Sequence, residues 1–176
     1  MKSLSPIVAC ICEGGAETAI IDMLVDRGLL IFTREQMLDE KVIGCRSGKE
    51  FESRYLRKDF PYKITVLRVL DSHREAFRLS PAYKDKVDVI QVVTSPEIEM
   101  LMILAEGKYE EYCKVSSTTK PSVFCKQLFK NKNIKSKAFV CSYFSDINVL
   151  LSAIRKYKRV KTLKQGEVYL ADLLKE

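Results

Sequence analysis

The sequence lacks any apolar run long enough to cross a lipid bilayer. Its longest apolar stretch, residues 98–105 of 176, falls well short of the roughly 20 residues that a membrane-spanning helix needs. The first residues also lack the small-residue cleavage site of a secretory signal peptide. With 47% hydrophobic residues the chain can still bury an ordinary core. We therefore expect a soluble cytoplasmic protein with no membrane partner.

Regularly spaced metal-binding cysteines and histidines are also absent. The six cysteines contain no Cys-x-x-Cys pair, and His73 is the single histidine. Cys10 and Cys12 are two residues apart in a predicted strand, so their side chains share one face. These spacings argue against a structural zinc site. They are typical of buried, reduced thiols in a reducing compartment.

Acidic residues are scarce in the last third of the chain. Between Lys114 and Lys164, thirteen Lys and Arg residues accompany one acid, Asp146, whereas residues 1–113 hold sixteen basic and nineteen acidic residues. This asymmetry favours contact with a polyanion such as nucleic acid, although a well-solvated helical surface would also be rich in lysine. The predicted phosphate-binding residues are Lys126, Lys130, Lys132, Lys135, Arg155, Lys156, Lys158 and Arg159.

Three apolar runs are each followed by an acidic residue. Residues 7–12 lead directly into Glu13, residues 64–70 into Asp71, and residues 87–93 into a turn that ends at Glu97. Short β-branched runs bounded by polar residues predict buried strands of a parallel sheet. Ligands of such sheets bind outside the carboxyl ends of the strands. A carboxylate at each of these ends is what a divalent metal site requires.

The pattern predicts an α/β fold with a mainly parallel sheet flanked by helices. We divide the chain into an α/β domain, residues 1–113, and a basic helical extension, residues 114–176. In the extension the apolar spacing predicts helices over residues 121–129, 136–144 and 146–158. Shorter elements are predicted as a strand at 29–32, brief helices at 33–38 and 81–84, helices starting at 47 and 97, and a last short helix at 166–174.

Each candidate site residue has a structural alternative. Glu13 precedes Gly14 and Gly15, but no Gly-Lys-Ser/Thr follows, so this is not a phosphate-binding loop. Glu17, Glu97 and Glu99 are candidate metal ligands, but they lie where acids also stabilise the first turn of a helix, by about 0.3–1 kcal/mol each. Asp71 could bind a metal directly. His73 could ligate a metal, act as a base or contact phosphate, although a lone histidine in a charged loop is often only solvated.

Two segments of the chain resemble a known family. The opening strand with its Cys12-Glu13-Gly14 run, together with a later strand that ends in an acid, is similar to the Toprim fold of topoisomerases, primases and OLD-type nucleases. Residues 95–104, which begin Ser-Pro-Glu-Ile-Glu, resemble the Asn-Pro-x-Phe-Glu helix start of RloB-like proteins, a Toprim-related group of phage-defence loci. The resemblance spans about residues 5–110.

The resemblance implies Mg²⁺ (or Mn²⁺) and nuclease-like phosphodiester chemistry. It gives Glu13 the general acid/base or metal role, and it makes Asp71 and Glu99 metal ligands. His73 replaces the second acid of the family's Asp-x-Asp motif, which changes the ligand charge. An alternative is therefore a catalytically degenerate module that binds nucleic acid or a protein partner. A third is a small-molecule enzyme that uses the same cleft.

Overall fold

The computed structural model describes residues 4–70, 77–94, 97–131 and 133–176. Over these ranges the chain forms four parallel strands in the order β1-β2-β3-β4. The strands are β1 (Ile7–Cys12), β2 (Ile64–Leu70), β3 (Val87–Val93) and β4 (Glu167–Tyr169). The predicted α/β class with a mainly parallel sheet flanked by helices is confirmed.

Seven α-helices occur in the same ranges. They are α1 (Gly15–Asp26), α2 (Gly48–Tyr55), α3 (Met100–Ala105), α4 (Tyr109–Val115), α5 (Pro121–Phe129), α6 (Lys137–Tyr143) and α7 (Ile147–Val160). Helix α1 packs against α6, and α3 packs against α5 and α7. Side-chain oxygens of Ser47, Ser136 and Asp146 accept a backbone N–H at the starts of α2, α6 and α7. These caps supply acceptors for N–H groups that have no partner within the helix.

The sheet separates two apolar cores. All seven residues of β2 are buried, as its central position between β1 and β3 requires. Along β1, Val8, Cys10 and Cys12 face the larger core, and Ala9 and Ile11 face the smaller one. This alternation is the two-residue repeat of a strand. The sheet is therefore covered on both faces, which leaves the strand ends as the places where polar side chains can gather.

The larger core lies on the side of α1, α3, α6 and α7. Leu24 of α1, Ile103 of α3, Val140 of α6 and Ile154 of α7 are at most 1% exposed. The smaller core contains Phe51 and Tyr55 of α2 and is centred on the first residues of β1 and β2. Each such fully buried aliphatic or aromatic side chain contributes about 1.5–3 kcal/mol of transfer free energy.

Several predicted elements differ from those observed. Residues 166–174 form β4 and a 3-10 helix, Leu170–Leu173, in place of the predicted helix. β4 forms because Val168 pairs with Val92 at the open edge of β3, a tertiary contact without a local sequence signal. The predicted strand at 29–32 is reduced to one bridge between Leu30 and Leu174, and the predicted helix at 33–38 is replaced by a 3-10 turn, Leu38–Glu40.

The division of the chain after residue 113 stays a prediction. Position 113 lies inside α4, and the larger core contains residues from before and after it, for example Leu101 and Val140. None of the helices in the described ranges is by itself long and apolar enough to span a membrane. Helices α6 and α7 reach that length only together, across a bend of 97°.

Candidate functional site

Three of the predicted acids lie at the carboxyl edge of the sheet. Glu13 follows β1 directly, and Glu97 and Glu99 lie between β3 and α3. Asp71 and His73 fall outside the described residues. The described part of this edge is formed by the ends of β1 and β3. Lys135, from the connection between α5 and α6, lies next to Glu97 and Glu99.

Glu13 is paired with a buried arginine of the neighbouring strand. Arg68 Nη2 lies 3.4 Å from Glu13 Oε1, and the Arg68 side chain is 1% exposed, whereas that of Glu13 is 26% exposed. The guanidinium carbon also lies 4.9 Å from the centre of the Phe77 ring. A buried guanidinium needs an anionic partner to offset its lost hydration, and Glu13 supplies one. Glu13 therefore faces solvent on one side and a fixed cation on the other.

Glu97 and Glu99 share one ammonium group. Lys135 Nζ lies 3.4 Å from Glu97 Oε1 and 3.4 Å from Glu99 Oε1. Glu97 Oε2 also accepts a 2.7 Å hydrogen bond from the backbone N–H of Ser122 in the first turn of α5. The Glu99 side chain is fully buried, and the Lys135 side chain is half exposed. A cation from the basic part of the chain thus lies between two carboxylates from the other part.

The pKa values of the two glutamates are shifted in opposite directions. Burial raises the pKa of Glu99, and the charge of Lys135 only partly offsets it. Burial would also raise the pKa of Glu97, but the hydrogen bonds from Ser122 and the Lys135 charge outweigh it and hold that pKa below its usual range. Burial, with the charge of Glu99 next in size, raises the pKa of Cys125 to about 12, so this thiol stays protonated.

The Glu99 carboxylate is poorly satisfied. Within the described part of the chain, neither Glu99 oxygen has a hydrogen-bond partner of good geometry, and the Lys135 ammonium lies 3.4 Å from Oε1 as an ion-pair partner. Buried carboxylate oxygens without donors are uncommon in folded proteins and call for an explanation. Here the neighbours are the carboxylate of Glu97 and the half-exposed ammonium of Lys135.

Glu17 lies in the first turn of α1 and is buried, 6% exposed. Its carboxylate fills the space next to Gly14, where a Cβ atom would overlap it. A buried acid here fits the helix-capping alternative, because it lies at the positive end of the helix dipole. The overlap involves the flexible end of the Glu17 side chain, which can shift, so packing by itself does not require glycine at position 14.

The predicted phosphate-binding residues do not share one surface environment. Lys135 pairs with the acids described above, and Lys158 donates a 2.6 Å hydrogen bond to Asp172. Lys156 donates to the carbonyl of Leu104 at 3.4 Å. Lys132 lies outside the described residues. Exposed cations with no side-chain partner in the described ranges are Lys126, Lys130, Arg155 and Arg159.

Two carboxylates can hold a magnesium ion in some settings. Mg²⁺ sites commonly use one or two protein carboxylates, with waters and substrate phosphates as the other ligands. Glu97 and Glu99 satisfy that minimum, and half-exposed Lys135 can swing away from them. In the ranges that the structure describes, no group of three or more His, Cys, Asp or Glu side chains converges as a metal site.

Sequence reasoning missed Arg68 and the role of Lys135. Arg68 had a signal, because it is the single charged residue within the apolar run of β2. The pairing of Lys135 had no local sequence signal, since Lys135 lies 36 residues beyond Glu99 in the sequence.

No protein-family model, no curated protein and no solved structure matches this chain.

Proposed function

We propose that this protein processes nucleic acid by metal-dependent, nuclease-like phosphodiester chemistry at the carboxyl edge of its sheet. One observation carries the proposal: the fully buried Glu99 carboxylate has no hydrogen-bond donor in the described residues and shares a cation with Glu97. The resemblance of the Cys12-Glu13-Gly14 run to Toprim-like proteins supports the same proposal. Glu97 and Glu99 would hold Mg²⁺ or Mn²⁺, which would neutralise charge on a bound phosphate.

The reaction that we propose is hydrolysis of a phosphodiester. A water oxygen bonds to phosphorus, the bond from phosphorus to one sugar oxygen breaks, and that oxygen takes up a proton. We assign to Glu13 the transfer of the water proton, because its carboxylate is partly exposed and is fixed by Arg68. We assign phosphate contacts away from the reacting bond to exposed cations such as Lys126 and Arg155.

Calorimetric titration with MgCl₂ and MnCl₂ tests the metal site. We expect the wild type to bind, and we expect Glu99→Gln to weaken binding by about tenfold or more because it removes one ligand charge. Glu111→Gln is the matched control, since Glu111 pairs with Lys108 on the exposed face of α4. Lys135→Met should tighten metal binding, because the ammonium no longer competes for the two carboxylates. Absence of metal binding in every variant contradicts the proposal.

Cleavage assays test the reaction. Plasmid, single-stranded DNA and RNA are incubated with the protein and Mg²⁺ or Mn²⁺, with EDTA as the blank. We expect cleavage that Glu13→Gln and Glu99→Gln abolish and that Glu111→Gln retains. Cleavage that survives Glu99→Gln would assign the activity to another site or to a contaminant.

A second candidate function is a binding module without catalysis. It is favoured by the ion pairs themselves, because Arg68 already pairs with Glu13 and Lys135 already pairs with both Glu97 and Glu99. In this case we expect salt-dependent nucleic-acid binding that survives Glu13→Gln and Glu99→Gln. Lys126→Gln should weaken that binding, whereas Lys158→Gln should change it little.

A further inference from the structure

A cavity lies at the amino edge of the sheet, opposite the edge that holds Glu13, Glu97 and Glu99. It has a volume of about 230 Å³ and lies at the amino ends of β2 and β3, away from the acids described above. Its walls come from the end of α2, the connection to β2, and the turn before β3. The lining residues are Leu56, Lys58, Phe60, Pro61, Tyr62, Lys63, Ile64, Asp85 and Lys86.

The floor of this cavity is apolar and fixed. Leu56 and Ile64 are buried, and Phe60 packs against the smaller core. The N–H of Ile64 donates a 3.0 Å hydrogen bond to the carbonyl of Lys86, which ties two of the walls together. Pro61 has a ring-restricted φ angle, so the connection has little freedom at that point. The cavity is therefore a formed feature of the fold.

The rim of the cavity combines an exposed aromatic ring with cations. Tyr62 is 58% exposed, the largest exposed fraction among the large hydrophobic residues in the described ranges. Three lysines and one acid, Asp85, line the cavity. Lys58 has no ion-pair partner in the described part of the chain. Lys63 and Lys86 lie 4.0 Å and 3.5 Å from carboxylates of Asp88 and Asp59.

Those two ion pairs do not neutralise the rim firmly. Asp59 is fully exposed and Asp88 is half exposed, and solvent screens such surface pairs, so they contribute little to stability. A bound phosphate can therefore replace Asp88 and Asp59 as the partner of Lys63 and Lys86 at little cost in free energy. A ring system in the cavity would contact Phe60 and Tyr62, whose faces suit stacking with a planar base.

From this arrangement we infer that the cavity binds a single nucleotide, with the base against Phe60 and Tyr62 and the phosphate among Lys58, Lys63 and Lys86. The volume sets the size, because pockets for drug-sized ligands measure about 300–1,000 Å³ and this one is smaller. It admits one base, with the sugar and phosphate at the rim. The nucleotide is either a free mononucleotide or one unit of a single strand. This inference does not depend on the metal site.

Ligand-observed NMR and calorimetry at low salt test the inference. The probes are AMP, adenosine, inorganic phosphate and a short oligoadenylate. We expect AMP or the oligoadenylate to bind more tightly than adenosine or phosphate. Adenosine provides only the base for stacking, and phosphate provides only the charge for the lysines. If AMP binds more tightly than the oligoadenylate does per site, the cavity is a mononucleotide site. If the oligoadenylate binds more tightly per site, the cavity contacts one unit of a single strand.

Variants of exposed residues locate the binding. Tyr62→Ala should weaken the nucleotide by roughly 5- to 100-fold, whereas Tyr62→Phe, which keeps the ring, should retain most of the affinity. Lys58→Gln should weaken binding and reduce its dependence on NaCl. Lys84→Gln is the control, since Lys84 is exposed beside the same turn but does not line the cavity.

Three results would overturn the inference. They are no binding of AMP or oligoadenylate at low salt, equal binding by wild type and Tyr62→Ala, and equal losses in Lys58→Gln and Lys84→Gln. Thermal unfolding of each variant checks that it is folded. The metal titrations described above are separate, so failure of either proposal leaves the other in place.

Discussion

Removal of the Lys135 ammonium is the sharpest test of the paired carboxylates. In Lys135→Met, Glu97 keeps its hydrogen bond from Ser122. Glu99 is left fully buried without a cation in the described part of the chain. Loss of one partner of a buried ion pair is destabilising because it leaves an uncompensated charge. We therefore expect Lys135→Met to unfold more easily than the wild type at neutral pH.

The expected loss of stability follows from two opposing effects. At 3.4 Å and an effective dielectric constant near 20, each Lys135–carboxylate attraction is worth about 5 kcal/mol. Because Lys135 is half exposed, water screens much of that attraction, and its rehydration on release offsets more. Glu99 can also take up a proton, which limits the penalty. We expect a net loss of about 2 kcal/mol, which corresponds to a fall in Tm of roughly 4–8 °C for a chain of this size.

The loss should depend on pH. Burial raises the pKa of Glu99 in the folded state above its value in the unfolded chain, so stability falls as pH rises from the ordinary glutamate pKa, about 4.3, through the folded value. Without Lys135 the folded pKa rises further and this window widens. The difference in stability between Lys135→Met and wild type should therefore shrink as the pH is lowered towards 4.

Thermal unfolding followed by circular dichroism at pH 7.5 and pH 5 measures the effect. Lys137→Met is the matched control, because its ammonium pairs with Asp22 at 2.7 Å on the surface, where about 0–1 kcal/mol is expected. The double variant Glu99→Gln/Lys135→Met should recover much of the loss. Equal Tm values for Lys135→Met and Lys137→Met at pH 7.5, with no change on acidification, would refute this reasoning.

Three further substitutions test the fold around the two sheet edges. Arg68→Met should destabilise the protein by about 1–3 kcal/mol in urea unfolding, since it removes the cation that pairs with Glu13, while the partly exposed Glu13 carboxylate can still be hydrated. Gly48→Ala should lower the free energy of unfolding by about 1–3 kcal/mol, because a Cβ there overlaps a backbone carbonyl; Gly44→Ala, with open space, should stay within about 0.5 kcal/mol of wild type. Ser136→Ala should lose about 1 kcal/mol with the α6 cap.

Each of these substitutions has a result that would contradict its explanation. A neutral Arg68→Met would mean that the guanidinium is not a net stabilising group at this position. Equal effects of Gly48→Ala and Gly44→Ala would remove the steric argument. An unchanged Tm in Ser136→Ala would mean that another group accepts the Phe139 N–H, which now donates to Ser136 Oγ at 3.2 Å.

The strands of the sheet could be predicted from the sequence because their signal is local. β1, β2 and β3 coincide with the three apolar runs, and the buried interior of a parallel sheet demands such runs. β4 could not be predicted, because three half-buried residues carry no strand pattern and acquire their conformation by pairing with β3. Helix α4 was missed for a related reason, since Tyr112 is its one buried residue.

The acids of the candidate site could be located, but their partners could not. The positions of Glu13 and Glu97 follow from strand ends and sheet topology, which are properties of short segments. Arg68 meets Glu13 across 55 residues, and Lys135 meets Glu97 across 38. Such contacts depend on how separate elements pack together, and a single sequence carries no record of that packing.

Charge that is segregated along the sequence is less segregated in space. The basic stretch predicted a continuous polyanion-binding surface, yet Lys135 and Lys137 pair with acids that precede them in the chain, and Lys158 pairs with Asp172. The Lys137 pair joins α6 to α1, and the Lys158 pair joins α7 to the 3-10 helix Leu170–Leu173, so part of the positive charge stabilises the fold. Only cations that remain unpaired on the exposed helix surfaces are left to attract phosphate at long range. A count of lysines therefore overstates the positive charge that is available to a polyanion. Lys126 and Arg155, which have no side-chain partner among the described residues, are the cations whose substitution tests the proposed binding.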